Sequence, residues 1–328
     1  MAARSSVALP GDAAGARRHR LSLSGPRLVQ ALSGPRLVQG AGTLVALGLI
    51  ASASLPRDVA WVVALAVVIV LGVPHGALDG AVAAPLLWPR YGRAWFPVFA
   101  VPYLGLAGSV LLAWQALPLA TLAAFLAVSV LHFGTEDAGP GRPVEALVRG
   151  GLPIALPALL HPRETADLFA VVARVPMPEL PAWWSAAAWL WLALAAAWLL
   201  ICRPRPAVLT ELAVLAAAFL VLPPLTAFTL YFVGLHAPRH MLALVGDPTK
   251  APGIDTMPRA VRAALPIFAL TLGLGAGLWP LYAAGAPDAA ANLLTVTLQM
   301  LSALTVPHIL LDHVAARSAR PSVLRAMP

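Results

Sequence analysis

Eight histidines stand in this 328-residue sequence, and five of them fall in short motifs that pair a histidine with a second group able to bind a metal or a proton. VPHGALDG carries His75, LHFGTED carries His132, GLHAPRH carries His236 and His240, and VPHILLDH carries His308. The paired groups are four residues apart in every case: His75 with Asp79, His132 with Glu136, His236 with His240, and His308 with Asp312. Positions i and i+4 share one helix face. A ligating histidine usually donates its second ring N–H to a carboxylate, which fixes the tautomer, so an acid one turn away suits a supporting role. Asp79, Glu136, its neighbour Asp137 and Asp312 fill that role on this reading, while His236 and His240 read as two ligands on one face. A single such histidine could be a hydrogen-bonded packing residue, but five with a repeated spacing point to a metal or proton site.

The donor set narrows the chemistry. Cys202 is the only cysteine, so neither an intrachain disulfide nor a cysteine-rich metal cluster is available. Neutral imidazoles suit iron, copper, nickel or zinc and disfavour magnesium and calcium, which prefer oxygen. No phosphate loop, nucleophile elbow or HExxH is found, so the usual equipment for polar hydrolysis is missing. An apolar substrate entering from lipid fits better.

The elements that position these residues are apolar. The chain is 60% hydrophobic and 11% charged, with a mean hydropathy of +0.82, which makes lipid the expected solvent. Apolar runs at 41–54, 59–88, 95–117, 119–134, 144–160, 183–202, 208–222, 226–245, 264–284 and 291–314 predict an all-α, polytopic transmembrane bundle of about ten helices. The first run is short and the fifth carries Pro153 and Pro157, so either could be re-entrant or kinked. The basic residues test the count. With the N-terminus inside, inner segments hold eighteen of the 22 Lys and Arg, only Arg57, Arg163 and Arg174 fall outside, and Arg239 lies within a helix. Both termini are therefore expected in the cytoplasm, with the cell membrane as the location. The net charge of +8 follows from this topology and not from a nucleic-acid face.

Three segments follow: a disordered basic tail at 1–40, a transmembrane catalytic domain at 41–316, and a short cytoplasmic tail at 317–328. In the first tail, LSGPRLVQ at 23–30 recurs at 32–39, too short and polar to be a structural repeat. His19 lies in this tail and His161 in an outer loop, where neither needs explaining; His313 is expected near the inner interface. The five motif histidines sit on the second, fourth, eighth and tenth helices, all running inward, about 11 to 17 residues or roughly 17 to 25 Å from their outer ends. They share one layer. Gly72, Gly76, Gly134 and Gly234 beside them would let helices approach closely.

Taken together, PHGALD, HFGTED, HAPRH and PHILLD resemble the Brp/Blh family of bacterial and archaeal membrane beta-carotene 15,15′-dioxygenases, over roughly Gly72 to His313. The resemblance implies a non-haem Fe(II), O₂ as co-substrate, cleavage of a carotenoid from the lipid phase at its central double bond, and retinal as product. It places the iron ligands on His75, His132, His236 and His240, with His308, Asp79 and Asp312 in support, and it suggests a rhodopsin as user of the retinal. Ala237 and Gly80 depart from the family pattern, which bears on substrate range. Phe133, Tyr231, Phe232 and Trp279 are candidates to line a tunnel for an extended polyene. Two rival readings are an intramembrane metal-ion or proton transporter and a membrane di-iron desaturase or hydroxylase; one iron per chain would favour the dioxygenase.

Overall fold

A computed structural model of the chain describes residues 43, 45–247 and 249–318. The expectations for the basic tail, its duplicated segment and the far C-terminus therefore lie outside the described residues. The protein is helical, with no strand among those residues. Residues 45–52 are helical, and from there the elements are α1 (Arg57–Val67), α2 (Asp79–Tyr91), α3 (Trp95–Ala116), α4 (Pro118–Ala138), α5 (Pro143–Leu160), α6 (Pro162–Ala173), α7 (Ala182–Cys202), α8 (Pro206–Val221), α9 (Pro224–Tyr231), α10 (Ala237–Val245), α11 (Met257–Ala283) and α12 (Ala289–Ser318). Each expected apolar run is helical over most of its described residues, departing only at end positions such as Ala53, Ser54, Leu117, Leu222 and Ala284.

Among the described residues, six helical stretches are long and apolar enough to cross a membrane. The first, Arg57–Ala116, is 60 residues long, about 90 Å if straight. It cannot be one crossing. Gly92, with φ 49°, ends α2, and α3 returns to pack against it. A glycine is favoured at that turn because a side chain strains the backbone at positive φ. α5 runs unbroken despite Pro153 and Pro157.

One helix was not expected. α6 occupies the stretch read as an outer loop; it buries Thr165, Ala166, Leu168, Val172 and Ala173 and presents its polar residues on the other side. The polar residues of α12 hold it in place, Gln299 donating to the Val172 carbonyl at 2.7 Å and Thr295 to that of Val171 at 3.0 Å. His161, just before α6, bonds the Phe219 carbonyl at 2.8 Å and so occupies an oxygen near the end of α8.

The two helices that carry three of the motif histidines are irregular just where those histidines sit. α1 passes through a π turn at Val68–Gly72 and a 3₁₀ segment at Val73–Leu78 before α2 begins. α9 passes through a π turn at Phe232–His236 into α10. Both breaks precede or contain a proline, Pro74 and Pro238, which has no N–H to give the preceding turn and crowds its carbonyl. The α-helical register is thus reset within a turn of His75 and of His236.

Close approach is confined to particular glycines. A Cβ on Gly72 would collide with the Phe232 ring, and one on Gly134 with the backbone of Ala146. Gly76 and Gly234 have nothing within 4 Å of that position, so the expectation that all four glycines serve helix packing is corrected to two. Gly134 matters most, because it and Gly150 seat α4 directly on α5.

Candidate metal centre

Five imidazoles converge. His75 comes from the 3₁₀ segment, His132 from α4, His236 from the π turn, His240 from α10 and His308 from α12, and each is at most 9% exposed. Ring centroids lie 5.4 Å apart for His75 and His240, 5.5 Å for His75 and His236, 5.8 Å for His75 and His308, 5.0 Å for His132 and His236, 5.2 Å for His132 and His308, and 5.1 Å for His240 and His308. They sit deep in the chain among aromatic rings: Phe133 meets His236 edge-on at 4.6 Å and Phe232 stacks on it at 5.6 Å.

The hydrogen bonds decide which nitrogens remain for a ligand. His75 Nδ1 faces the Gly72 carbonyl at 2.5 Å, which leaves Nε2 free. His240 Nδ1 pairs with Glu136 Oε1 at 2.9 Å, and His308 Nδ1 with Asp79 Oδ1 at 2.7 Å. Both use one nitrogen on a carboxylate and aim the other elsewhere, the arrangement in which an acid orients a ligating histidine. His308 Nε2, both nitrogens of His236 and Glu136 Oε2 are buried without a hydrogen-bond partner. Such atoms are costly unless something else satisfies them.

These orphaned atoms give a direct test of fit for a metal ion. Ligand atoms of His75, His132 and His308 lie within 4.8 Å of one another, as do those of Glu136, His240, His308 and Asp312, and those of His132, Glu136 and His236. A metal bound to nitrogen at about 2.0–2.1 Å separates two ligands by at most about 4.2 Å, so each set needs only small side-chain movements. The residues present fit a transition metal.

Expected pairings turn out to cross between helices. Asp79 bonds His308 on α12 and not His75 on its own chain segment. Glu136 bonds His240 on α10 and stands 3.9 Å from His132. Asp312 is 3.6 Å from His308 without a hydrogen bond. The physical reason is that both members of an i, i+4 pair point at the same neighbouring helices, and the 3₁₀ segment advances about 120° per residue, which swings Asp79 away from His75. Asp137 lies apart from the imidazoles. It accepts from Tyr231 at 2.8 Å and Arg239 at 2.9 Å, within a partly buried charge network in which Glu211 joins Arg239 at 2.5 Å to Arg149 at 2.6 Å, and Arg149 reaches Glu145 at 3.3 Å.

An apolar cavity of about 120 Å³ opens onto the cluster, with His75, His132, His308, Phe133 and Phe232 in its wall. Trp279 lines a second cavity of about 440 Å³ that shares Val73, Thr271, Leu301 and Leu304 with the first. A third, of about 100 Å³, shares Phe125, Ser129, Phe228 and Leu298. Tyr231 lines none of the three; it is 1% exposed, with its hydroxyl on Asp137. Tyr103 was missed from sequence. Its hydroxyl donates to Asp79 Oδ2 at 2.7 Å, and its ring lines the first cavity. A lone tyrosine in the apolar segment VPYLGL was the available signal, since a hydroxyl at that depth needs a partner.

A family model described as beta-carotene 15,15'-dioxygenase matches residues 66–315, a span that contains all five clustered histidines. The chain belongs to this family. It is 29% identical over 302 residues to the "Probable beta-carotene 15,15'-dioxygenase Blh" of Halobacterium salinarum, covering 81% of this chain and 87% of that protein. It is 28% identical over 261 residues to the beta-carotene 15,15'-dioxygenase of an uncultured marine bacterium, 66A03, covering 76% of this chain and 91% of that one. No solved structure matches. A dioxygenase family thus coincides with a buried histidine cluster whose ligand atoms could hold a metal ion.

Proposed function

We propose that the protein cleaves beta-carotene or a related carotenoid at its central double bond with O₂, giving two molecules of retinal, at an iron held by the clustered imidazoles. The observation that carries this reading is the cluster itself, five buried imidazoles with orphaned nitrogens beside an apolar cavity, in a chain of this family. On this reading His75, His132, His236 and His240 would hold the iron, and His308, aimed by Asp79 and grouped with His75 and His132, is placed to join them. When bound, Fe(II) supplies the activation of O₂.

The rest falls to the chain's own residues. The reaction is balanced without a protein acid or base: the central C=C bond breaks, and each of its carbons gains one oxygen atom of O₂ as an aldehyde. Asp79 and Glu136 keep His308 and His240 in fixed orientation, so the ligand set is organised before substrate arrives. Phe133 and Phe232 line the cavity beside the imidazoles and exclude water from it. The two adjoining apolar cavities share wall residues with the first and so extend the apolar space beside the imidazoles. In this reading the protein sits in the cell membrane, and a rhodopsin takes up the retinal.

A dinuclear centre is the second reading, because Glu136 belongs to two of the three ligand groups and its Oε2 is orphaned, as a bridging carboxylate would be. Metal stoichiometry separates the two. The function itself is tested by expression in carotenoid-producing cells followed by pigment analysis. Loss of colour with retinal appearing, abolished in His75→Ala, is expected; unchanged pigment in both contradicts the proposal.

A further inference from the structure

The cavity at the imidazoles is not closed on all sides. Its wall on α4, the second π turn and α12 is shut: His132, Phe133, Phe232 and His308 are all no more than 7% exposed. Its wall on α3 and α11 is different. Phe96 and Leu104 of α3 are 42% and 43% exposed, and Leu270 and Leu274 of α11 are 48% and 42% exposed, yet all four line the same cavity. A side chain that both lines a cavity and faces the exterior marks where the two meet. α3 and α11 each pack on α12 but scarcely on one another, and the gap between them is bounded by the 3₁₀ segment, which packs on α11, and by α2, which packs on α3.

The rim is apolar and ordered. Leu270 and Leu274 are one turn apart on one face of α11, and Phe96, Ala100 and Leu104 repeat at the same spacing on α3. From Phe96 to Leu104 the opening is roughly 12 Å tall at 1.5 Å per residue. Tyr103, beside Leu104, puts its hydroxyl on Asp79, so a single residue step along α3 separates the rim from the hydrogen bonds of the cluster. Leu104, Leu270 and Leu274 lie within apolar helices long enough to span, so in a bilayer they would face acyl tails, with Phe96 nearer the interface beside Arg93. The four rim side chains offer an ion or a polar metabolite no hydrogen bond, whereas a linear unsaturated hydrocarbon suits them.

We infer that the gap between α3 and α11 is a lateral portal through which a linear polyene enters from the lipid and reaches the histidines, an inference that rests on the carotenoid reading above. The portal is a property of the chain's outer surface, so it is tested by blocking it. In a Cys202→Ser background, Leu104→Cys and Leu274→Cys are each made in vesicles and modified with a bulky apolar maleimide, next to Leu200→Cys on α7, which is 77% exposed in the parent and lines none of the three cavities described. Modification at 104 or 274 should lower retinal formation from beta-carotene about ten-fold or more relative to the same variant unmodified, with bound iron unchanged, because entry is hindered and the ligands are not. Modification at 200 should do nothing. Binding is read separately, without turnover: beta-carotene in the vesicles should slow modification at 104 and 274 but not at 200. Protection without any retinal from the unmodified protein leaves the portal standing and contradicts the cleavage reading. Modified portal variants that turn over as fast as unmodified ones, or the absence of protection, overturn the portal.

Discussion

Tyr103 holds one oxygen of Asp79, and Asp79 holds His308 with the other. This relay predicts that Tyr103→Phe, which keeps the ring and the cavity wall, weakens metal binding about ten-fold, the low end of what losing such outer contacts costs. Equilibrium dialysis of the purified protein against iron measures it, and unchanged affinity would remove Tyr103 from the account. Tyr231→Phe is the matched control. Its hydroxyl lies on Asp137, away from the orphaned nitrogens, so iron affinity should hold while thermal stability falls by about 1 kcal/mol for the lost hydrogen bond. The five histidines were legible from their spacing alone. Which acid serves which histidine was not, because the i, i+4 rule describes one helix and the bonds that formed run between helices.

Among the elements, the packing of α4 on α5 and of the first π turn on the second depends on missing side chains. Gly134→Ala pushes a methyl into the Ala146 backbone, which cannot rotate away, and Gly72→Ala pushes one into the Phe232 ring. Each should cost about 1–3 kcal/mol in a detergent melting or unfolding experiment, with Gly134→Ala the larger, whereas Gly234→Ala, with open space around it, should be neutral or slightly stabilising. The charge network gives a second test at this scale. Arg149→Met removes the one buried cation between Glu145 and Glu211, which keep Arg142 and Arg239, and should destabilise by about 1–3 kcal/mol in the same experiment. Apolar runs revealed nearly all of these helices; α6 escaped because it is short and amphipathic, and the π and 3₁₀ turns escaped because a hydropathy pattern carries no information on hydrogen-bond register. The prolines beside His75 and His236 were the only trace of those turns.

For the whole molecule, the distribution of basic residues predicts an orientation that the sole cysteine can report. Cys202 is exposed at the end of α7, just before Arg203 and Arg205. A membrane-impermeant maleimide should label it from the cytoplasmic side and not from the outside. The reverse would invert the topology and put the imidazole layer in the outer half of the bilayer. The central claim is narrower than topology: imidazoles from separate helices share one iron. It is tested most directly by the iron content of the purified protein beside that of His75→Ala prepared in the same way. One iron per chain in the parent, lost in the variant while the helical content is kept, is the predicted result; two irons per chain, none, or an iron content indifferent to His75 would contradict it.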